Sequence, residues 1–356
     1  MPEVSLDLQP ATAVTSASLD LSSASVDLLL ITGAGASRNL GKTDEPMPLM
    51  DDWSNALVDA LEAAERGLAA RCGLRVSLSG TEFEEALGLL LRWEAFKYLN
   101  SHFAEMTDSA SDFQRLDGTA TQRLGTLRRV LDQTMYGLFG QERVDTEAAA
   151  AAYGNLLREL KVRTLAVATT NYDRSCEAAL SALNRTPDTG FRIDDSESVP
   201  RLDVRGLIRR AIEGQRTPCL HLHGAIGWYQ KDRIVYDHKA DHPYNQTLGT
   251  PVVLYPDPQK DPTNDENVAA LWDEFLVALA EADRVLVLGH SLHDPALIAA
   301  IRAAQPKKLG VTFLMSSDAP EEQARIREQL PGATPVPIEF GAELNIDLSH
   351  GYQLLP

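Results

Sequence analysis

The feature that most constrains this 356-residue chain is a series of short, nearly all-apolar runs, each ending in glycine or polar residues. VDLLLIT (26–32) leads into GAGAS, TLAVATT (164–170) into NYD, CLHLH (219–223) into a glycine, and RVLVLG (284–289) into HSLHD. PVVLY (251–255) and VTFLMS (311–316) have the same character. A strand presents alternate residues to opposite faces, so a run that is apolar throughout is apolar on both. Such strands belong in parallel sheets covered by helices on both sides. Helical spacing of apolar residues at 174–184, 265–282 and 294–304 supplies the cover. The alternation predicts an α/β fold, a Rossmann-like doubly wound parallel sheet.

Between the first two runs the pattern changes. From Trp53 to about Leu160, Leu and Ala recur at helical spacings with few strand formers, and Gly67, Gly73, Gly80 and Gly118 break the stretch into several helices. The expected organisation is a flexible tail over 1–24, a catalytic domain formed by 25–50 and 155–356, and a large helical insertion over 51–154. The tail is rich in Ser, Thr and Ala without sustained periodicity.

Charge excludes some partners. With 33 Lys and Arg against 51 Asp and Glu the net charge is −18, a field that repels phosphate backbones, so direct nucleic-acid binding is not expected. Arg201, Arg205, Arg209 and Arg210 are interspersed with acidic residues and read as a solvated face. The N-terminus has neither a basic n-region nor an apolar h-region, and no run approaches the roughly 18 apolar residues of a membrane span. Cys72, Cys176 and Cys219 are far apart, without a C-x-x-C pair, so zinc is not expected and a reducing, cytoplasmic compartment is.

In open α/β sheets ligands lie beyond the carboxyl ends of strands, so the strings after the apolar runs are the candidate site. Gly33 and Gly35 permit a tight turn and close approach of a pyrophosphate to backbone N–H groups; packing of the turn against its neighbours is an equal competitor. Asn171 and Asp173 can hold hydroxyls or a water molecule, or cap the helix starting near Arg174. His221 and His223 share a strand face, but His223 stands at the strand's end before Gly224, which makes it the better general base. His290 and His293 are loop alternatives. Asp294 before Pro295 reads as a helix cap. His238 and His242, with Asp237 and Asp241, would suit a metal only in a helix, and Pro243 argues for a loop.

In this order GAGAS, TTNYD, HLHG and GHSLHD resemble the sirtuin superfamily: its glycine-rich NAD loop, its T-Q-N-I-D string, its histidine-glycine motif and its G-T-S-L segment. PVVLYPD is similar to the family's P-x-V-V segment. The resemblance implies that Gly33, Ala34, Gly35, Ser37, Thr170, Gly289 and Ser291 line an NAD site, with Ser316 or Ser317 near the adenosine end. It also implies that Asn171 and Asp173 orient the nicotinamide ribose and a reactive water, and that His223 is the general base.

Two departures sharpen this. Protein-deacylating sirtuins carry a four-cysteine zinc module after the histidine motif, and no cysteine follows Cys219. Their G-I-P-D-F-R string is also missing, with Pro48 a loose counterpart. A zinc-less core with a helical insertion looks like the bacterial sirtuin-like NAD hydrolases of antiphage defence, which cleave NAD to ADP-ribose and nicotinamide. That likeness implies NAD as a consumed substrate and control by homo-oligomerisation or by a separate sensor or ATPase protein. Two alternatives stand beside it: an NAD-dependent protein deacylase or ADP-ribosyltransferase, and a non-catalytic module sensing NAD or ADP-ribose.

Overall fold

The apolar runs become the centre of a parallel sheet. The computed structural model describes residues 26–42, 46–76, 78–79, 82–90, 118–140, 143–193, 199–238, 246–255, 262, 265–304, 311–315, 320–337 and 340. The tail expected over 1–24 and part of the expected insertion lie outside them. In chain order the elements are β1 (Val26–Thr32), α1 (Met50–Ala64), α2 (Gly118–Phe139), α3 (Thr146–Glu159), β2 (Leu165–Thr169), α4 (Ser175–Ala182), β3 (Pro187–Asp188), β4 (Phe191–Arg192), β5 (Arg201–Leu202) and α5 (Leu207–Glu213). They continue with β6 (Thr217–His221), β7 (Gly224–Lys231), β8 (Ile234–Asp237), β9 (Thr250–Val253), α6 (Glu266–Glu281), β10 (Ala282–Leu288), α7 (Pro295–Ala304), β11 (Val311–Met315), α8 (Pro320–Gln329) and β12 (Ala333–Pro337).

Seven strands form the main sheet in the order β12-β11-β10-β1-β2-β6-β3, each pair parallel. Its period of two sorts β1 as the sequence requires. Leu28 and Leu30 enter a core with α3 and α4, while Leu29 and Ile31 enter one with α5, α6 and α7. All four are fully buried, each contributing roughly 1.5–3 kcal/mol of hydrophobic stabilisation. The fold is thus α/β and doubly wound. Asp145 and Asp265 start α3 and α6 by accepting two backbone N–H groups apiece, caps that contribute about 1 kcal/mol each.

A second, antiparallel sheet, in the order β4-β5-β8-β7-β9, was not expected. PVVLY lies here as edge strand β9 instead of in the parallel sheet. β7 begins directly after His223, where Gly224 adopts φ +74° and a Cβ would stand 1.9 Å from the Val252 carbonyl oxygen. Only glycine turns the chain there from one sheet into the other. Arg174 joins the sheets electrostatically, binding Glu177 at 2.6 Å and Asp237 of β8 at 2.9 Å. Helices α1 and α2 pack with helical residues 82–90 around Trp53 and Phe83, and their apolar face rests on Tyr172, Ile226, Tyr229 and Tyr255. No helix among the described residues is long and apolar enough to cross a membrane.

Candidate active site

The main sheet grows outward from β1 in both directions, through β2 and β6 on one side and β10 and β11 on the other. The loops after β1 and β10 therefore stand at the sheet's switch point, where open α/β sheets bind ligands. A cavity of about 420 Å³ occupies this position. Gly33, Ala34, Gly35, Thr170, Asn171, Asp173, His223, Gly289 and Ser291 all line it, together with Trp53, Tyr172, His290 and Asp294. Ser37 is buried just behind the lining, and Ser316 and Ser317 lie outside the described residues.

The glycine-rich turn is spent mainly on packing. Gly33 N donates to Leu288 O (3.0 Å) and Gly35 N to Gly289 O (2.9 Å), so these two N–H groups are already used. A Cβ on Gly33 would lie 2.8 Å from both Gly289 O and His290 Cα. Gly289 has φ +60°, and its own Cβ would meet Ala36 N at 2.1 Å. Three glycines thus let two loops touch backbone to backbone.

Asn171 is anchored by its side-chain amide. Its Nδ2 donates to Gly33 O (3.0 Å) and Ser37 Oγ (2.8 Å), which uses both amide hydrogens and leaves the side-chain carbonyl as the acceptor at the cavity. Thr169 Oγ1 accepts from Asn171 N (3.1 Å). Asp173 Oδ1 accepts from Ser175 N (2.9 Å) and Ser37 Oγ (3.3 Å), so it closes the turn that leads into α4 and anchors the serine that anchors Asn171. Ser37 acts through Asn171, a role its place in the sequence did not reveal.

His223 Nε2 donates to Asp294 Oδ2 at 2.8 Å, both side chains being buried. Asp294 Oδ1 meanwhile accepts from Ala296 N (3.0 Å) and Leu297 N (3.1 Å) at the start of α7. A carboxylate that accepts a hydrogen bond from Nε2–H leaves Nδ1 as the ring nitrogen that carries the lone pair. This partner was the main residue missed: 71 positions separate the pair, and only the capping half of the role was legible. Tyr172 packs its ring near His223, 6.5 Å between centroids, and donates to Leu254 O at 2.6 Å. Burial, with Glu84 and Asp294 adding negative charge, raises its phenol well above the ordinary range and keeps it neutral.

Of the other candidate histidines among the described residues, His290 and His293 line the cavity and the rest do not. His221 faces inward, bonded to Glu177 at 2.8 Å. His293 bonds Arg325, and burial together with that guanidinium lowers its pKa. His238 follows β8 in non-helical backbone, and His242 is outside the described residues. Cys176 and Cys219, remote in sequence, meet with a Sγ–Sγ distance of 3.2 Å.

Residues 165–333 match a family described as SIR2-like domain. The match includes Asn171, Asp173, His223, Gly289, Ser291 and Asp294 but not the Gly33 turn. No curated protein matches the chain. Among solved structures, a Sir2 homolog–NAD complex is 13% identical, covering 86% of this chain and 82% of that one at a TM-score of 0.37. A Sir2 homologue mutant in complex with 2'-O-acetyl ADP ribose is 14% identical, with coverage of 86% and 84% and a TM-score of 0.37.

Proposed function

We propose that the protein hydrolyses NAD to ADP-ribose and nicotinamide, with Asn171 and His223 as catalytic residues. The observation that carries this reading is their convergence in one cavity at the switch point, with Asn171 offering a fixed acceptor and His223 a carboxylate-paired base. The Asn171 carbonyl holds a ribose hydroxyl, and the cavity wall of Trp53 and Tyr172 limits bulk water. The bond between the ribose carbon and nicotinamide nitrogen breaks, its electron pair leaving with nicotinamide. A water oxygen bonds to that carbon while His223 takes the water's proton. Asp173 positions Asn171 through Ser37, and Asp294 stabilises the imidazolium as it forms. Gly33, Ala34, Gly35, Thr170, Gly289 and Ser291 border the dinucleotide.

The resemblance to zinc-less bacterial hydrolases supports the cellular reading: a cytoplasmic effector of antiphage defence acting by NAD depletion, restrained until it oligomerises or meets a sensor or ATPase partner. Turnover of NAD by purified protein, followed by chromatography of the products, tests the chemistry. Nicotinamide and ADP-ribose should appear without an acyl acceptor, and Asn171→Ala and His223→Ala should each slow their release by about 10²- to 10⁴-fold while remaining folded. NAD that binds but stays intact under oligomer-promoting conditions would leave the sensing module. Turnover only with an acylated peptide would leave the deacylase.

A further inference from the structure

Outside the cavity lining, between β6 and α4, lies a second chemical cluster. Cys219 and His221 are two residues apart on β6 and so share a face, and Cys176 reaches the same place from the first turn of α4. Their burial is nearly total, at 2% exposure for Cys176 and 0% for the other two. The two sulfurs and a ring nitrogen of His221 all lie within 4.8 Å of one another. We propose that Cys176, Cys219 and His221 bind a thiophilic d10 metal ion, zinc or copper(I), with Glu177 as the outer carboxylate that orients the histidine.

The histidine is set up for this. Its Nε2 donates to Glu177 Oε1 at 2.8 Å, and Nδ1, the nitrogen left for the sulfurs, is buried without a hydrogen-bond partner among the described residues. Ligand histidines are commonly fixed in this way, one nitrogen donating to a carboxylate and the other offering its lone pair to the ion. Glu177 is itself gripped by Arg174 through two hydrogen bonds, 2.9 and 2.6 Å long, so the outer shell is rigid. An orphaned ring nitrogen in a dry core costs free energy, and an ion supplies its missing partner.

The sulfurs need little adjustment. Tetrahedral zinc at about 2.3 Å from each sulfur places the two roughly 3.8 Å apart, so the 3.2 Å pair opens by about half an ångström through side-chain rotation. Binding releases the two thiol protons to solvent, leaving two thiolates and a neutral imidazole around the ion. Three protein donors among the described residues also suit copper(I), which accepts low coordination and prefers sulfur. The ion would clamp α4 to β6, three residues beyond Asp173 and two before His223. The rival state is metal-free. There, burial opposes a charged ring, but the neighbouring Cys176 and the Glu177 hydrogen bond outweigh it and push His221 up to about 10.

Elemental analysis of the full chain, purified without chelators or a metal-binding tag, is the first test, followed by zinc and copper(I) added separately to reduced apoprotein without oxygen. The expected result is about one ion per chain, with X-ray absorption at that metal's edge counting two sulfur neighbours and one nitrogen. Cys219→Ser and His221→Gln should lose the ion, and Cys72→Ser should keep it. Reduced wild type that takes up neither ion overturns the proposal, as does an intact mass lower by two hydrogens from a Cys176–Cys219 disulfide, or full loading in both site variants. Should the variants fail to fold, the stoichiometry and ligand count of the wild type decide alone.

Discussion

Asp294 divides its carboxylate between two duties, one oxygen capping α7 and the other holding His223. The two can be separated by substitution. Asp294→Asn keeps an oxygen for the cap but cannot stabilise an imidazolium, so NAD turnover should fall about 10²- to 10⁴-fold while the melting temperature moves little. Asp294→Ala should lose both, adding about 1 kcal/mol of destabilisation in denaturant titration. Ser37→Ala removes the partner shared by Asn171 and Asp173 and should raise KM and lower kcat together. At this scale much was legible, because Asn171, Asp173 and His223 stand where apolar runs stop. What could not be read is which neighbour each side chain would find: the His223–Asp294 and Ser37–Asn171 pairs depend on how the loops fold across 71 and 134 positions.

The elements carry constraints that no single side chain shows. The contact between the Gly33 turn and the Gly289 loop is main chain against main chain, so Gly289→Ala forces a Cβ to within 2.1 Å of Ala36 N. That variant should lose NAD binding by calorimetry along with several degrees of thermal stability. Asp188 at the end of β3 binds Arg192 and Arg216 at 3.0 and 3.1 Å. Burial of the carboxyl acts the other way, yet Arg192, the Gly190 backbone and Arg216 hold its pKa below the usual carboxylate value. A lowered folded-state pKa stabilises above the unfolded value and fades as pH falls through the folded one. Asp188→Asn should therefore cost roughly 1–3 kcal/mol at pH 7 and progressively less as pH falls below the usual carboxylate value, as read from unfolding midpoints at each pH. The long elements were legible from periodicity, and the second sheet was not. β3, β4 and β5 are two residues each, and β12 carries Pro335 and Pro337 that an edge strand tolerates but a sequence pattern disguises.

Taken whole, the molecule joins its two sheets through a buried charged contact among the described residues. Arg174 makes it, its buried guanidinium shared between Glu177 on α4 and Asp237 on β8. Arg174→Met removes the guanidinium shared by two buried carboxylates and should destabilise by about 3–5 kcal/mol, seen as a lower denaturant midpoint; Asp237→Asn in the same chain should restore part of the loss. The charge pattern of the sequence could not announce this pair, since 63 residues separate its members and both ends look like ordinary surface charges. Tyr172 makes the corresponding apolar joint. It stands between Asn171 and Asp173, yet its ring packs edge-on against Trp53 of α1 and Phe139 of α2. One residue is thus at once a link of the strand-end loop and a member of the helical core. A change in the packing of α1 or α2 reaches the neighbour of Asn171 through two rings, Trp53 or Phe139 and then Tyr172, so the helical layer bears on the cavity wall from behind.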